Sequence, residues 1–120
     1  MNLKAINIVV LSLMVLSCAS SPQESPDMEL SEQAFEAIAA GDYEKAEAIL
    51  EVALSINPEN PYALLNLGVV YQNTNRIEKA REQYVKIILL EAEEKVLKSN
   101  VKEMEGKSLV DIAKQNLENL

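Results

Sequence analysis

Two 34-residue segments, 27–60 and 61–94, align end to end without a gap, and this tandem duplication restricts the fold more than any other feature of the chain. Gly41 falls on Asn75, Tyr43 on Ile77, Ala46 on Ala80, Leu50 on Tyr84 and Ala53 on Ile87. Apolar residues within each copy recur at three- and four-residue spacing, which is the period of an amphipathic helix and not of a strand. Leu30, Ala34, Ala37 and Ile38, with Phe35 beside them, trace a first helix. Tyr43, Ala46, Ile49, Leu50, Ala53 and Leu54 trace a second. Gly41-Asp42 separates them, the glycine suited to a left-handed turn and the aspartate to capping the next helix. In the second copy Leu64, Leu67, Val70 and Tyr71 form the inward face of a third helix, and Gly68 admits a close neighbour. A fourth helix runs from Ile77 through Ala80, Tyr84, Ile87 and Ile88 to at least Leu90, and with Ala92 where the first copy has Pro58 its end is left open as far as about Leu97. Pro26 after Ser25, and Pro61 after Asn60, mark helix starts.

The motif Leu64-x-x-Leu67-Gly68-x-x-Tyr71, followed by Ala80-x-x-x-Tyr84, resembles the tetratricopeptide repeat (TPR) pattern, with Leu64 in the place of a tryptophan. The first copy departs from it at Gln33 and Ala34, where the second has Leu67-Gly68. The resemblance implies an all-α fold of two helix–turn–helix repeats, 26–60 and 61–94. Two such units leave an end of their core bare, so a capping element is required. Segment 108–120 supplies one: Ser108 with Asp111 three residues on is a capping signal, and Leu109, Ile112, Ala113, Asn116, Leu117 and Leu120 share a face. Residues 95–107 are read as a linking loop.

The chain opens with one positive side chain, Lys4, and then a nearly unbroken apolar run over 5–16. That run is shorter than the roughly 20 residues a spanning helix needs and fits the core of a secretory signal. Val15-Leu16-Ser17-Cys18 resembles a bacterial lipobox, with Ser17 and Cys18 in place and Val15 and Leu16 off the preferred residues. That resemblance implies cleavage after residue 17 and lipidation, palmitate included, of Cys18. A cut near Ala19 or Ser21, or an uncleaved anchor, is the alternative. Residues 18–25 form a small, polar tether able to reach roughly 20 Å. The expected location is the bacterial cell envelope, on the periplasmic face of an outer membrane where there are two membranes.

The formal net charge of −8 argues against nucleic acid and against electrostatic holding of anionic lipid. The absence of histidine and the single cysteine exclude an intrachain disulfide and a thiolate or imidazole metal cluster, and no metal or cofactor is expected. Glu44, Glu47, Glu93, Glu94, Asp111 and Glu118 read as solubilising charge on helix exteriors, because no apolar pocket flanks them. Gly106-Lys107-Ser108 ends like a phosphate loop but has Val101 where the motif needs glycine, so it reads as a helix start. No catalytic residue is identified, and no small-molecule substrate is expected.

By position in the repeat, the resemblance places a partner-binding groove on the first helix of each pair. Its residues are Met28, Ser31, Phe35, Ile38 and Ala39, then Tyr62, Leu65, Asn66, Val69, Gln72 and Asn73. Only Asn66 matches the carboxylate clamp of the family's chaperone-tail binders, and the third helix has no lysine, so the expected guest is an amphipathic helix or extended apolar segment of another protein. The resemblance extends to pilotin-type and other envelope adaptor lipoproteins, which implies an adaptor or assembly role, for example in pilus or secretion assembly. The alternative is a structural or accessory subunit whose groove is filled by its own last helix.

Overall fold

The computed structural model describes residues 24–91 and 105–120. These residues are all-helical: α1 Pro26–Ala39, α2 Tyr43–Ile56, α3 Pro61–Asn73, α4 Ile77–Leu89 and α5 Leu109–Glu118. Helices α1 and α2 close one antiparallel hairpin, and α3 and α4 close a second. The hairpins stack through α3, which lies against both α1 and α2, while α5 lies on α4 and touches α3. The signal-peptide and tether readings, Cys18 included, concern residues outside the described part, as does the loop over 95–104.

Both hairpin turns rest on a left-handed residue at the same repeat position. Gly41 has φ +76° and Asn75 has φ +60°, the second being an asparagine, which tolerates that region better than most residues. Asp42 accepts a hydrogen bond from the Lys45 amide at 3.1 Å and so satisfies a free donor at the start of α2. Asn60 does the same for α3, accepting from the amides of Tyr62 and Ala63 at 3.0 Å each. Ser108 caps α5 through the Asp111 amide at 3.1 Å, so the Gly-Lys-Ser segment is a helix start, with Lys107 donating to Gln115. Ser25 stands at the N-cap of α1 without capping it; its side chain hydrogen-bonds the Asp27 carboxylate instead.

Helix α4 is shorter than the sequence suggests. It ends at Leu89, with Leu90 as the C-cap and Glu91 left-handed at φ +52°. The chain turns there on a glutamate, without the glycine, asparagine or proline that would have announced a stop. The extension to Leu97 is therefore not formed as a continuation of α4, and residues 92–97 lie outside the described part.

The core joins matched residues of the two repeats, Ala34 and Gly68, Ala46 and Ala80, Leu50 and Tyr84, Ala53 and Ile87, to residues of α3 and α5 that have no such match. Ala34, Ala46, Leu50, Ala53, Ala63, Val70, Ala80, Tyr84, Ile87, Leu109 and Ala113 have no exposed surface. Full burial of each large aliphatic or aromatic side chain among them contributes roughly 1.5–3 kcal/mol. Gly68 meets Tyr84 so closely that a methyl group there would fall within 2.9 Å of the ring at Cδ1 and Cζ, and nearer still at Cε1. At the same places in the first repeat stand Ala34 and Leu50. One copy thus combines a larger small residue with a smaller large one, and the other reverses the exchange.

Candidate functional site: the shared face of the first helices

Helices α1 and α3 are neighbours in the stack, and α5 continues their row by taking the position on α4 that α3 takes on α2. On α3 the residues left partly or fully exposed are Pro61, Tyr62, Asn66, Val69, Gln72 and Asn73. Tyr62, Asn66, Val69 and Asn73 recur at four, three and four residues and form one strip along the helix. The corresponding strip of α1 carries Met28, Glu32, Phe35 and Ala39, with Met28 and Phe35 half-buried.

The eleven residues assigned to the groove do not share one environment. Met28, Phe35, Ile38, Tyr62, Asn66, Val69 and Gln72 are half-buried, and Ala39 and Asn73 are exposed. Ser31 and Leu65 are buried, and both contribute to packing between the helices. Asn66 donates to the Ser31 carbonyl at 3.0 Å and so ties α3 to α1. Gln72 accepts from the Tyr84 hydroxyl at 2.8 Å, and Asn73 donates to the Val69 carbonyl of its own helix at 2.8 Å.

Beneath one end of this face lies a buried polar junction that sequence reasoning missed. Asn60 is 1% exposed. While its oxygen caps α3, its amide nitrogen donates to Asp27 Oδ2 at 2.8 Å and to Ser31 Oγ at 3.1 Å. Ser31 in turn donates to the Asp27 carbonyl at 2.8 Å, and Asn57 donates to Asp27 Oδ2 at 3.1 Å. Hydrogen bonds from Ser25, and then from Asn57 and Asn60, hold the Asp27 carboxyl below its ordinary range against the opposing effect of burial. The network fixes the first turn of α1 to the start of α3, about one repeat away. Its only sequence signal is polar residues at the same joint, and nothing in the periodicity distinguishes them from ordinary turn residues.

A second junction lies near the turn between α3 and α4. Arg76 makes two hydrogen bonds to Glu47, Nη1 to Oε1 at 2.8 Å and Nη2 to Oε2 at 2.7 Å. Its guanidinium carbon also lies 4.6 Å from the centroid of the Tyr71 ring. The guanidinium holds the Glu47 carboxyl below its usual range. Glu47 is therefore a structural partner between repeats, a correction to its reading as solubilising charge; Glu44 is exposed as expected. Arg76 stands where the first repeat has the cap Asp42 and makes no side-chain cap for α4. A cation is poorly placed at a helix N-terminus, and the bond to Glu47 offsets that.

The Tyr84 hydroxyl, donating to Gln72 of α3 and facing Asn116 of α5, joins the second repeat to the last helix. Burial pushes its pKa up to about 12. Among the described residues no group of three or more His, Cys, Asp or Glu is placed to hold a metal ion. No helix among them is long and apolar enough to cross a membrane.

Helical hairpins stacked through their first helices, with a single helix closing the far end, define an α-helical repeat protein whose first helices share one face. The chain belongs to the tetratricopeptide repeat family, whose sequence model matches residues 37–98; domains of this family bind other proteins. The chain is also 30% identical over 61 residues to the human protein O-mannosyl-transferase TMTC2, an alignment covering 51% of this chain and 7% of that protein. The chain thus spans a small fraction of that relative's length. No solved structure matches it.

Proposed function

We propose that this protein is a non-enzymatic adaptor or assembly factor that holds a segment of another protein on the concave face of α1 and α3. The position of α5 carries this reading. It packs on α4 and α3 as the next first helix would, with no comparable packing on α1, so as a cap it extends the row of first helices. That arrangement favours exchangeable binding over a groove filled by the last helix, which is the observation that would support a permanently built-in subunit.

The same proposal includes anchoring. Cys18 follows an apolar run and precedes a short polar tether, the pattern of a lipidated N-terminus in a bacterial envelope, outer membrane included. Two or more acyl chains on one residue hold a protein stably at a membrane. Pilus or secretion-channel assembly is the setting the lipoprotein resemblance suggests. The transferase named by the human relative contributes nothing here, because the similarity covers 7% of it.

Two measurements test the proposal. Cys18→Ala is expected to abolish metabolic labelling with palmitate and release the chain from membranes; continued labelling refutes the anchor. Phe35→Glu with Val69→Glu is expected to remove co-purifying protein from detergent-solubilised membranes at unchanged helicity. Recovery equal to that of the unaltered chain rules out the concave face.

A further inference from the structure

The charges of the described chain are divided unevenly between its two repeats. Over residues 24–60 there are ten acidic side chains and one basic one, Lys45. Helix α1 carries Asp27, Glu29, Glu32 and Glu36 and no basic residue, whereas α3 carries no charged residue at all. Asp27 is taken up in the buried junction. Glu29, Glu32 and Glu36 are exposed and follow each other at three and four residues, a line along one side of α1. Glu32 occupies the repeat position of Asn66 and is itself part of the α1 strip, while Glu29 and Glu36, at the positions of buried Ala63 and Val70, lie beside that strip and are exposed.

From this juxtaposition of an uncharged strip on α3, with Tyr62 and Val69 as its apolar members, and an acidic edge on α1, we infer that the guest is a basic amphipathic segment. Its apolar residues lie over Phe35, Tyr62 and Val69, and its lysines or arginines lie along Glu29, Glu32 and Glu36. The inference rests on the concave-face reading above and adds the chemistry of the partner. Charge at the rim of such a contact selects partners and speeds their encounter, while desolvated apolar contacts supply most of the affinity. An acidic guest would meet like charge along the whole of α1. A neutral apolar guest would gain nothing from it.

The test selects helical peptides from a display library of randomised surface charge on the full chain in detergent. The expected pool is enriched in lysine and arginine. Its retention should fall at least roughly threefold on Glu29→Gln/Glu32→Gln/Glu36→Gln, the low end for three rim charges. Retention should weaken further as the Debye length shrinks from about 10 Å at 0.1 M salt to about 3 Å at 1 M. It should also fall on Phe35→Ala/Val69→Ala. A pool lost on the apolar variant but of no particular charge, or indifferent to the glutamine variant, overturns the inference and leaves the concave-face reading standing. A pool indifferent to both variants, or no enrichment at all, overturns both. Helicity of the variants by circular dichroism keeps loss of folding apart from loss of binding.

Discussion

Gly68→Ala tests how closely the two helices of the second repeat are fitted to each other. In an unconstrained helix interior the change stabilises by about 1 kcal/mol. Here the new methyl falls within 2.9 Å of two ring carbons of Tyr84 and nearer to a third. The ring has little freedom to withdraw, because Tyr84 has no exposed surface and its hydroxyl is bonded to Gln72 at 2.8 Å. Overpacking a rigid site costs typically about 1–3 kcal/mol, so the net expectation is a loss of up to roughly 2 kcal/mol once the helix gain is subtracted. Tyr84→Leu alone leaves a cavity and an unpaired Gln72, at a cost of about 2–4 kcal/mol. The double variant reproduces the Ala34 and Leu50 arrangement of the first repeat, and on that background Gly68→Ala should be neutral or stabilising. Urea unfolding of the four proteins, followed at 222 nm, gives the coupling energy of the cycle, expected to be roughly 2 kcal/mol. If Gly68→Ala has the same sign and size with tyrosine and with leucine at position 84, the steric account of this pair is wrong.

Asn60→Ala removes a helix cap and a buried donor to Asp27 together, and should lower stability by about 2–4 kcal/mol; a urea midpoint no lower than that of Asn57→Ala would contradict the junction. The Asp27 carboxyl is held below its ordinary value of 3.8 in the folded chain. Its contribution is therefore complete above about pH 4 and is lost as pH falls through the folded value. Asp27→Asn should lower the midpoint at neutral pH and flatten its fall on acidification below about pH 4, and parallel slopes would refute this. Glu91→Gly relieves a left-handed non-glycine residue and should raise stability by about 0.5–1 kcal/mol, measured as a higher urea midpoint; no rise would mean the end of α4 is not strained there.

How far the sequence could be read depended on whether a feature was periodic. The interior was, because burial on one side of a helix repeats every three or four residues: Ala46, Leu50, Ala53, Leu64, Leu67, Val70, Ile112 and Ala113 were all marked by spacing and are all buried. The turns were too, since Gly41 and Asn75 belong to residue types that tolerate a left-handed backbone. The end of α4 was not, since Glu91 is a residue type that rarely adopts that conformation and nothing nearby signals a stop. The polar junctions were also hidden. Asn60 could be recognised as a cap, but its second role requires Asp27 and Ser31, residues 33 and 29 positions away. Arg76 offered a partial clue, a basic residue where the first repeat has an aspartate cap, which is unfavourable unless a carboxylate lies opposite. The candidate face was legible as a set of repeat positions. Which of its side chains are already committed within the molecule, as Ser31, Asn66 and Gln72 are, was not.

These commitments bear on how binding specificity can be set. Helix α3 touches every other described helix, buries seven of its thirteen residues and carries no charge. A helix apolar on most sides is held in place by what surrounds it, and its remaining surface is mainly the strip of Tyr62, Asn66, Val69 and Asn73. Substitutions along that strip act close to the packing of both repeats, so their effects on binding are confounded with effects on stability. Helix α1 is different. Among the described helices it stands at one end of the stack, and Glu29, Glu32 and Glu36 are exposed, where substitutions usually change stability by no more than about 0.5 kcal/mol. On the proposed reading, the central helix supplies an uncharged floor while the edge helix carries the charge that distinguishes one guest from another.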